Sequence, residues 1–226
     1  MIISDNASSY LFFTPIYGMN LYEYLAQNPE SAKIFDESMT NFSAIESAAI
    51  AASYDFSSIQ TLVDIAGGQG LLIASILKSN PTLKGVLFDQ PHVIERAKRF
   101  LEAEGVLERC QLAAGSFFES VPEGGDAYIL KHIILDWDDE RAIGILKRCH
   151  KVMPDNGKLL VAQQVIPPGN QPCIGKFLDL HMLAVASGGR VRTEAEYRAL
   201  FEKAGFKLTR IIPTQDDMSI IEGIRV

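Results

Sequence analysis

The sequence predicts an α/β fold: a mostly parallel β-sheet with helices on both faces and a C-terminal antiparallel hairpin. Three observations predict it. From Thr61 onward, short apolar runs alternate with stretches whose apolar residues recur at helical spacing. The first run, Leu62 to Ile65, passes into Ala66-Gly67-Gly68-Gln69-Gly70 and then an apolar stretch from Leu71, the pattern of a buried strand, a tight turn and a helix start. The last two runs, Lys207–Ile212 and Met218–Val226, are separated only by the polar turn Pro213–Asp217, close enough to pair antiparallel.

Taken in order, residues 1–56 read as a helical lid or linker and residues 57–226 as the ligand-binding domain. Tyr10, Phe12, Phe13, Tyr17, Tyr22 and Tyr24 make the first stretch aromatic, as packing or as the wall of a pocket for a flat substrate. Asn28-Pro29-Glu30 starts a helix, and Ile34, Phe35, Met39, Phe42 and Ile45 follow at helical spacing. After the first strand, a helix carries Leu72, Ile73, Ile76 and Leu77 until Asn80-Pro81. Strand two is Gly85–Asp89. Pro91 opens a helix with Ile94, Ala97 and Leu101 on one face and Gly105 at its end. Strand three is Cys110–Ala114 and strand four Asp126–His132. Asp138 caps a helix burying Ala142, Ile145, Leu146 and Cys149. Strand five runs from Lys158 to Ile166, and a helix from Phe177 to Ala186. Thr193 and Glu196 form a capping box for a helix that ends at Ala204-Gly205.

Composition narrows the function classes. The chain has 226 residues, of which 47% are hydrophobic and 22% charged, as in an ordinary globular protein. A net charge of −7 argues against nucleic acid as a partner. No apolar run approaches the roughly 18 residues of a membrane span. Met1-Ile2-Ile3-Ser4-Asp5 lacks the basic segment and apolar core of a signal peptide. Cys110, Cys149 and Cys173 make no metal-ligand pattern and read as free thiols, so the expected compartment is the cytoplasm.

The glycine loop points to a cofactor. Gly67, Gly68 and Gly70 let a ligand approach the main chain, and Asp89 ends the next strand about 20 residues further on, the place of a carboxylate that holds ribose hydroxyls. The spacing G-G-Q-G is not the G-x-G-x-x-G of a dinucleotide site. A strand that ends in an acid before so dense a glycine loop suits a cofactor without phosphates. S-adenosylmethionine (SAM) is one, and Asp64 is then placed for its amino-acid end.

The chain resembles the plant and bacterial small-molecule O-methyltransferases of the caffeate and hydroxyneurosporene type. The segments that carry the resemblance are Leu62–Gly70, Phe88-Asp89-Gln90-Pro91-His92, Val121–Asp126, Lys131–Glu140, Pro167-Pro168-Gly169, Leu178–Leu183 and Arg192-Thr193 through Phe206, in that order. The resemblance implies the class I, Rossmann-like methyltransferase fold with seven strands, a methyl donor (SAM, left as S-adenosylhomocysteine, SAH), and a small hydroxylated substrate. It implies cofactor contacts from Asp64, Gly67, Gly68, Gly70, Asp89 and Lys131, with Ser116, beside Phe117, where the family uses an acid at the adenine edge.

Two departures stand out. The dimerisation domain that precedes the catalytic part in family members has no counterpart, so the expected assembly is a monomer, or a dimer through another surface. The family's general base is a His directly before Asp-Trp; this chain has Leu135 before Asp136-Trp137. Gln163 and Val191 stand where two acids orient that base. Leucine accepts no proton, so a poor or base-independent methyltransferase is expected, or a protein that binds SAM without methyl transfer. Among the histidines, His181 in Leu178-Asp179-Leu180-His181-Met182 is the candidate replacement base, because that helix lines the substrate pocket in the family. His132 is expected to point away from Lys131 by the two-residue period of a strand.

Overall fold

A computed structural model describes residues 16–19, 24–25, 27–185 and 188–226. Tyr10, Phe12, Phe13 and Tyr22 lie outside them, as does the predicted helix end at Ala186. The long helix α1, Pro29–Ser53, opens on Pro29 as expected. The α/β part follows as β1 (Thr61–Ile65), α2 (Leu71–Ser79), β2 (Lys84–Asp89), α3 (Pro91–Ala103), β3 (Cys110–Ala114), β4 (Ala127–Lys131), α4 (Asp139–Val152) and β5 (Lys158–Gln163). It continues with β6 (Val165–Ile166), α5 (Ile174–Val185), β7 (Arg192–Thr193), α6 (Glu194–Ala204), β8 (Phe206–Pro213) and β9 (Ser219–Arg225).

Seven strands form one sheet in the order β3-β2-β1-β4-β5-β9-β8. β9 runs antiparallel to both β5 and β8, and the other neighbours pair parallel. The predicted class is therefore the observed one. Central strands are buried on both faces: Leu62, Val63, Ile65, Tyr128, Ile129, Leu130, Leu159, Leu160 and Val161 are inaccessible to solvent. Two apolar clusters cover the two faces. One joins the end of α1 (Ile50, Tyr54) to Leu72, Ile73, Ile76 and Leu77 of α2; the other holds Ala142, Ile145, Leu146 and Cys149 of α4 with Tyr197, Leu200 and Phe201 of α6. The predicted caps form. Asp138 accepts from the Arg141 amide, and Thr193 and Glu196 close a capping box, each cap contributing about 1 kcal/mol.

Three expectations change. Strand five is two pieces: the ladder with β9 stops at Gln163↔Ser219, and Val165–Ile166 leaves to pair with Arg192–Thr193 in a separate two-stranded sheet. Strand four stops at Lys131, because His132 has a left-handed backbone (φ 56°). In α1 the apolar periodicity does not mark a buried face, since Ile34, Phe42 and Ile45 are 66%, 62% and 64% exposed. The face that packs carries Glu46, Ser47 and Ile50.

The order of the first five strands reverses between β1 and β4. A crevice opens at the carboxyl ends of strands at such a reversal, where α/β folds bind ligands. Ile65, Asp89 and Lys131 end the strands that border it.

Candidate active site

Asp64 is the penultimate residue of β1 and 1% exposed. Neither of its carboxylate oxygens has a hydrogen-bond partner among the described residues. Burial pushes its carboxyl up to about 7; the charge of Lys131 opposes this and that of Asp89 adds to it. The carboxylate lies against Gly67, where an added Cβ would sit 2.4 Å from Asp64 Oδ2 and 2.5 Å from Leu87. Glycine at 67 is thus a matter of space. Beyond it the chain turns through left-handed conformations at Ala66, Gly68 and Gly70. Gly70 is the N-cap of α2 and brings no side-chain cap.

Asp89 is half-buried, and its carboxylate braces the loop. Oδ2 accepts from the Gly68 amide at 2.8 Å and Oδ1 from the Gln90 amide at 2.6 Å. Each oxygen keeps a second lone pair for a hydroxyl donor. Further along the rim, Ser116 accepts from the Phe118 amide at 3.3 Å. Phe117 and Phe118 meet Trp137 edge-on at 6.2 and 4.8 Å between ring centroids. The buried Trp137 Nε1 has no acceptor among the described residues.

Lys131 and His132 reach the same carboxylate. Lys131 Nζ lies 3.0 Å from Glu46 Oε2 and 2.8 Å from Ser43 Oγ, and His132 Nε2 lies 2.8 Å from Glu46 Oε1. The strand-period expectation for His132 therefore fails, because the left-handed turn swings the ring to the α1 side. Burial would raise the Glu46 carboxyl, but the His132 hydrogen bond and the charges of His132 and Lys131 hold it below its ordinary value. The Asp136 carboxyl is pushed up to about 6 by burial, with His132 opposing.

Two of the three positions expected to carry the base and its helpers, 135 and 191, meet in apolar packing. Leu135 and Val191, each 4% exposed, cluster with Met182, Ile166 and Leu178. Gln163, 1% exposed, donates to the Tyr197 hydroxyl. Arg192 sets this geometry. Its guanidinium, with no exposed surface, binds Asp139 Oδ1 at 2.8 Å and the carbonyls of Ile134 and Trp137 at 3.0 and 2.9 Å, so it brackets Leu135 and Asp136. His181 is exposed on α5, beside the exposed Leu180 and next to Met182 of that cluster.

Sequence reasoning missed Glu46, Ser43 and Asp136. For Glu46 a signal existed. It lies one helical turn before Ile50 and next to Ser47 in an alanine-rich stretch, so its face was open to recognition as the buried one. The Asp136 environment had no such signal.

These side chains fit a nucleoside cofactor that carries an amino-acid end. Asp64 is an orphaned buried acceptor, Gly67 beside it has no room for a side chain, and Asp89 faces the rim with free lone pairs.

Comparison with known proteins decides the family. An O-methyltransferase domain model matches residues 2–207. The chain belongs to this O-methyltransferase family. It is 43% identical over 211 residues to a phenazine O-methyltransferase of Lysobacter antibioticus, covering 93% of this chain and 62% of that protein. Among solved structures it is similar to CalO1, a methyltransferase in calicheamicin biosynthesis in its SAH-bound form. The TM-score is 0.89 at 35% identity, covering 98% of this chain and 66% of that one. It is also similar to the neocarzinostatin O-methyltransferase NcsB1 in complex with SAH and 1,4-dihydroxy-2-naphthoic acid. There the TM-score is 0.81 at 31% identity, covering 94% and 63%. The chain spans less than two thirds of the length of such relatives, 62%, 56% and 54% for three of them. Among the described residues of this O-methyltransferase chain, no helix is long and apolar enough to cross a membrane.

Proposed function

We propose that the chain is the catalytic part of a SAM-dependent O-methyltransferase that acts on a small, hydroxylated aromatic molecule. One observation carries the reading. An unpartnered buried carboxylate, a glycine loop and a ribose-type acid converge at the crevice beside β1. Asp64 takes the amino-acid end of the cofactor, Asp89 the ribose hydroxyls, and Ser116, Phe117 and Trp137 the adenine side. When bound, the cofactor supplies a methyl group on a positively charged sulfur. The protein's contribution is to hold an acceptor oxygen in line with it and to exclude water.

The Asp89 contacts give the direct test. Calorimetry with SAM is expected to show Asp89→Ala binding at least several-fold more weakly, since two hydrogen bonds to a charged acceptor are lost. Unchanged affinity would place the cofactor elsewhere.

Proton removal does not fall to position 135. Leu135 sits in an apolar cluster, and general-base help of about 10²–10⁴-fold must come from another group or from the acceptor's own acidity. A Leu135→His change alone is expected to leave methyl transfer no faster. It is also expected to destabilise the fold by about 1–3 kcal/mol, because the imidazole meets the apolar Val191 and Met182. Urea denaturation and a methyl-transfer assay check both halves; a faster enzyme would give position 135 back its role. The same closed cluster favours a second reading, a protein that holds SAM or SAH without transferring the methyl group.

A further inference from the structure

We propose that His132, oriented by Glu46, takes the proton from the acceptor hydroxyl; this rests on the methyltransferase reading above. His132 lies one residue beyond β4, at the crevice where the strand order reverses. Its left-handed backbone points the ring toward α1, and Nε2 meets Glu46 Oε1 at 2.8 Å. A carboxylate fixes the tautomer of the ring it faces. In the neutral ring Nε2 carries the hydrogen and Nδ1 presents a lone pair. Among the described residues Nδ1 has no hydrogen-bond partner, and the side chain is 30% exposed, so that nitrogen is open to a ligand.

Glu46 is itself fixed. It is 8% exposed, and its other oxygen is held by Lys131, which Ser43 also binds. A carboxylate locked on one side and facing imidazole on the other is the arrangement that orients a general base. The other histidines lack it among the described residues. His92 is exposed in the first turn of α3, His150 faces the Val226 carbonyl, and His181 is exposed on α5.

The step balances without a further reactant. The hydroxyl proton passes to His132 Nδ1 while the oxygen's electron pair forms the new bond to the methyl carbon. The carbon–sulfur bond breaks, and its pair returns to sulfur as SAH. The ring then loses its proton to water.

The plain alternative is a latch in which Glu46 only ties α1 to the sheet. Two measurements separate them. The first is methyl transfer from labelled SAM to 1,4-dihydroxy-2-naphthoic acid and to catechol. His132→Asn keeps a donor for Glu46 and holds the fold. It is expected to lower the rate by about 10²-fold or more, and added imidazole is expected to restore part of the rate in His132→Ala. The second needs no cofactor. Long-range proton–nitrogen spectra of the apo protein are expected to show His132 protonated at Nε2 and bare at Nδ1, and Glu46→Gln to shift the ring toward a tautomer mixture. A His132→Asn enzyme at the parent rate overturns the inference and leaves the methyltransferase reading standing, as does a ring protonated at Nδ1. Loss of transfer in His181→Ala with His132→Asn unaffected would hand the role to His181. No labelled product from the unaltered protein with either acceptor overturns the reading and the inference together.

Discussion

Replacing Arg192 with leucine is expected to cost about 3–5 kcal/mol, the range for breaking a buried charged network. No surface of the Arg192 side chain is exposed, and its guanidinium binds Asp139 and the carbonyls of Ile134, Trp137 and Arg190. Asp139 is 46% exposed and can turn to water when the arginine is gone. The buried Ile134 carbonyl cannot, and a group orphaned in that way costs about 1–3 kcal/mol. At roughly 2–4 °C per kcal/mol for a chain of this size, melting falls by on the order of 10 °C. Arg192→Lys keeps the charge but not the planar fork, and should recover less than half of the loss. Calorimetry of the two variants decides the matter. A loss under about 1 kcal/mol for Arg192→Leu would mean that the 134–137 segment is held by packing alone.

Asp64→Asn should make the cofactor-free protein more stable and the site worse. Burial pushes the folded-state carboxyl up to about 7, from an ordinary value of 3.8. Between those values the folded chain holds a proton that the unfolded chain has released, so stability falls as pH rises through that window and levels off above it. Asparagine has no such proton. The variant should therefore gain on the parent as pH rises from about 4 to 7 and keep that gain at pH 8, with about 4 kcal/mol as the upper bound that the shift sets. Below pH 4 the difference should vanish. SAM affinity should drop, because the amide carries no charge for an ammonium group. Urea midpoints for both proteins at pH 4.5, 6 and 8 test this; a constant offset across the three would show that Asp64 is not the titrating group.

Much of the fold was legible because local signals agreed with each other. The glycine loop, the Asp138 cap, the Thr193–Glu196 box and the terminal hairpin each mark an element boundary by chemistry within a few residues. Asp64 and Asp89 were placed correctly near the ends of neighbouring strands for the same reason. What stayed hidden depends on partners distant in sequence. Val165–Ile166 reads as a continued strand, and only the register of β9 shows that its partner has run out. His132 reads as strand until its backbone turns left-handed, a conformation that histidine adopts without announcing it. Its meeting with Glu46 spans 86 residues. The outward Ile34, Phe42 and Ile45 have helical spacing but no burial, and spacing alone does not say which side of a helix has company.

The place of β9 bears on how the chain is made. The last strand in sequence lies inside the sheet, between β5 and β8. Until residues 219–225 have been synthesised, β5 lacks a neighbour on one side and β8 has none in the sheet, so β5 exposes a bare edge at Leu159, Leu160 and Val161. An open apolar edge of that kind recruits other strands. Assembly of the sheet therefore cannot add its strands simply in chain order: the crevice beside β1 can form early, while β8 waits for residues 219–225 to slot in between it and β5.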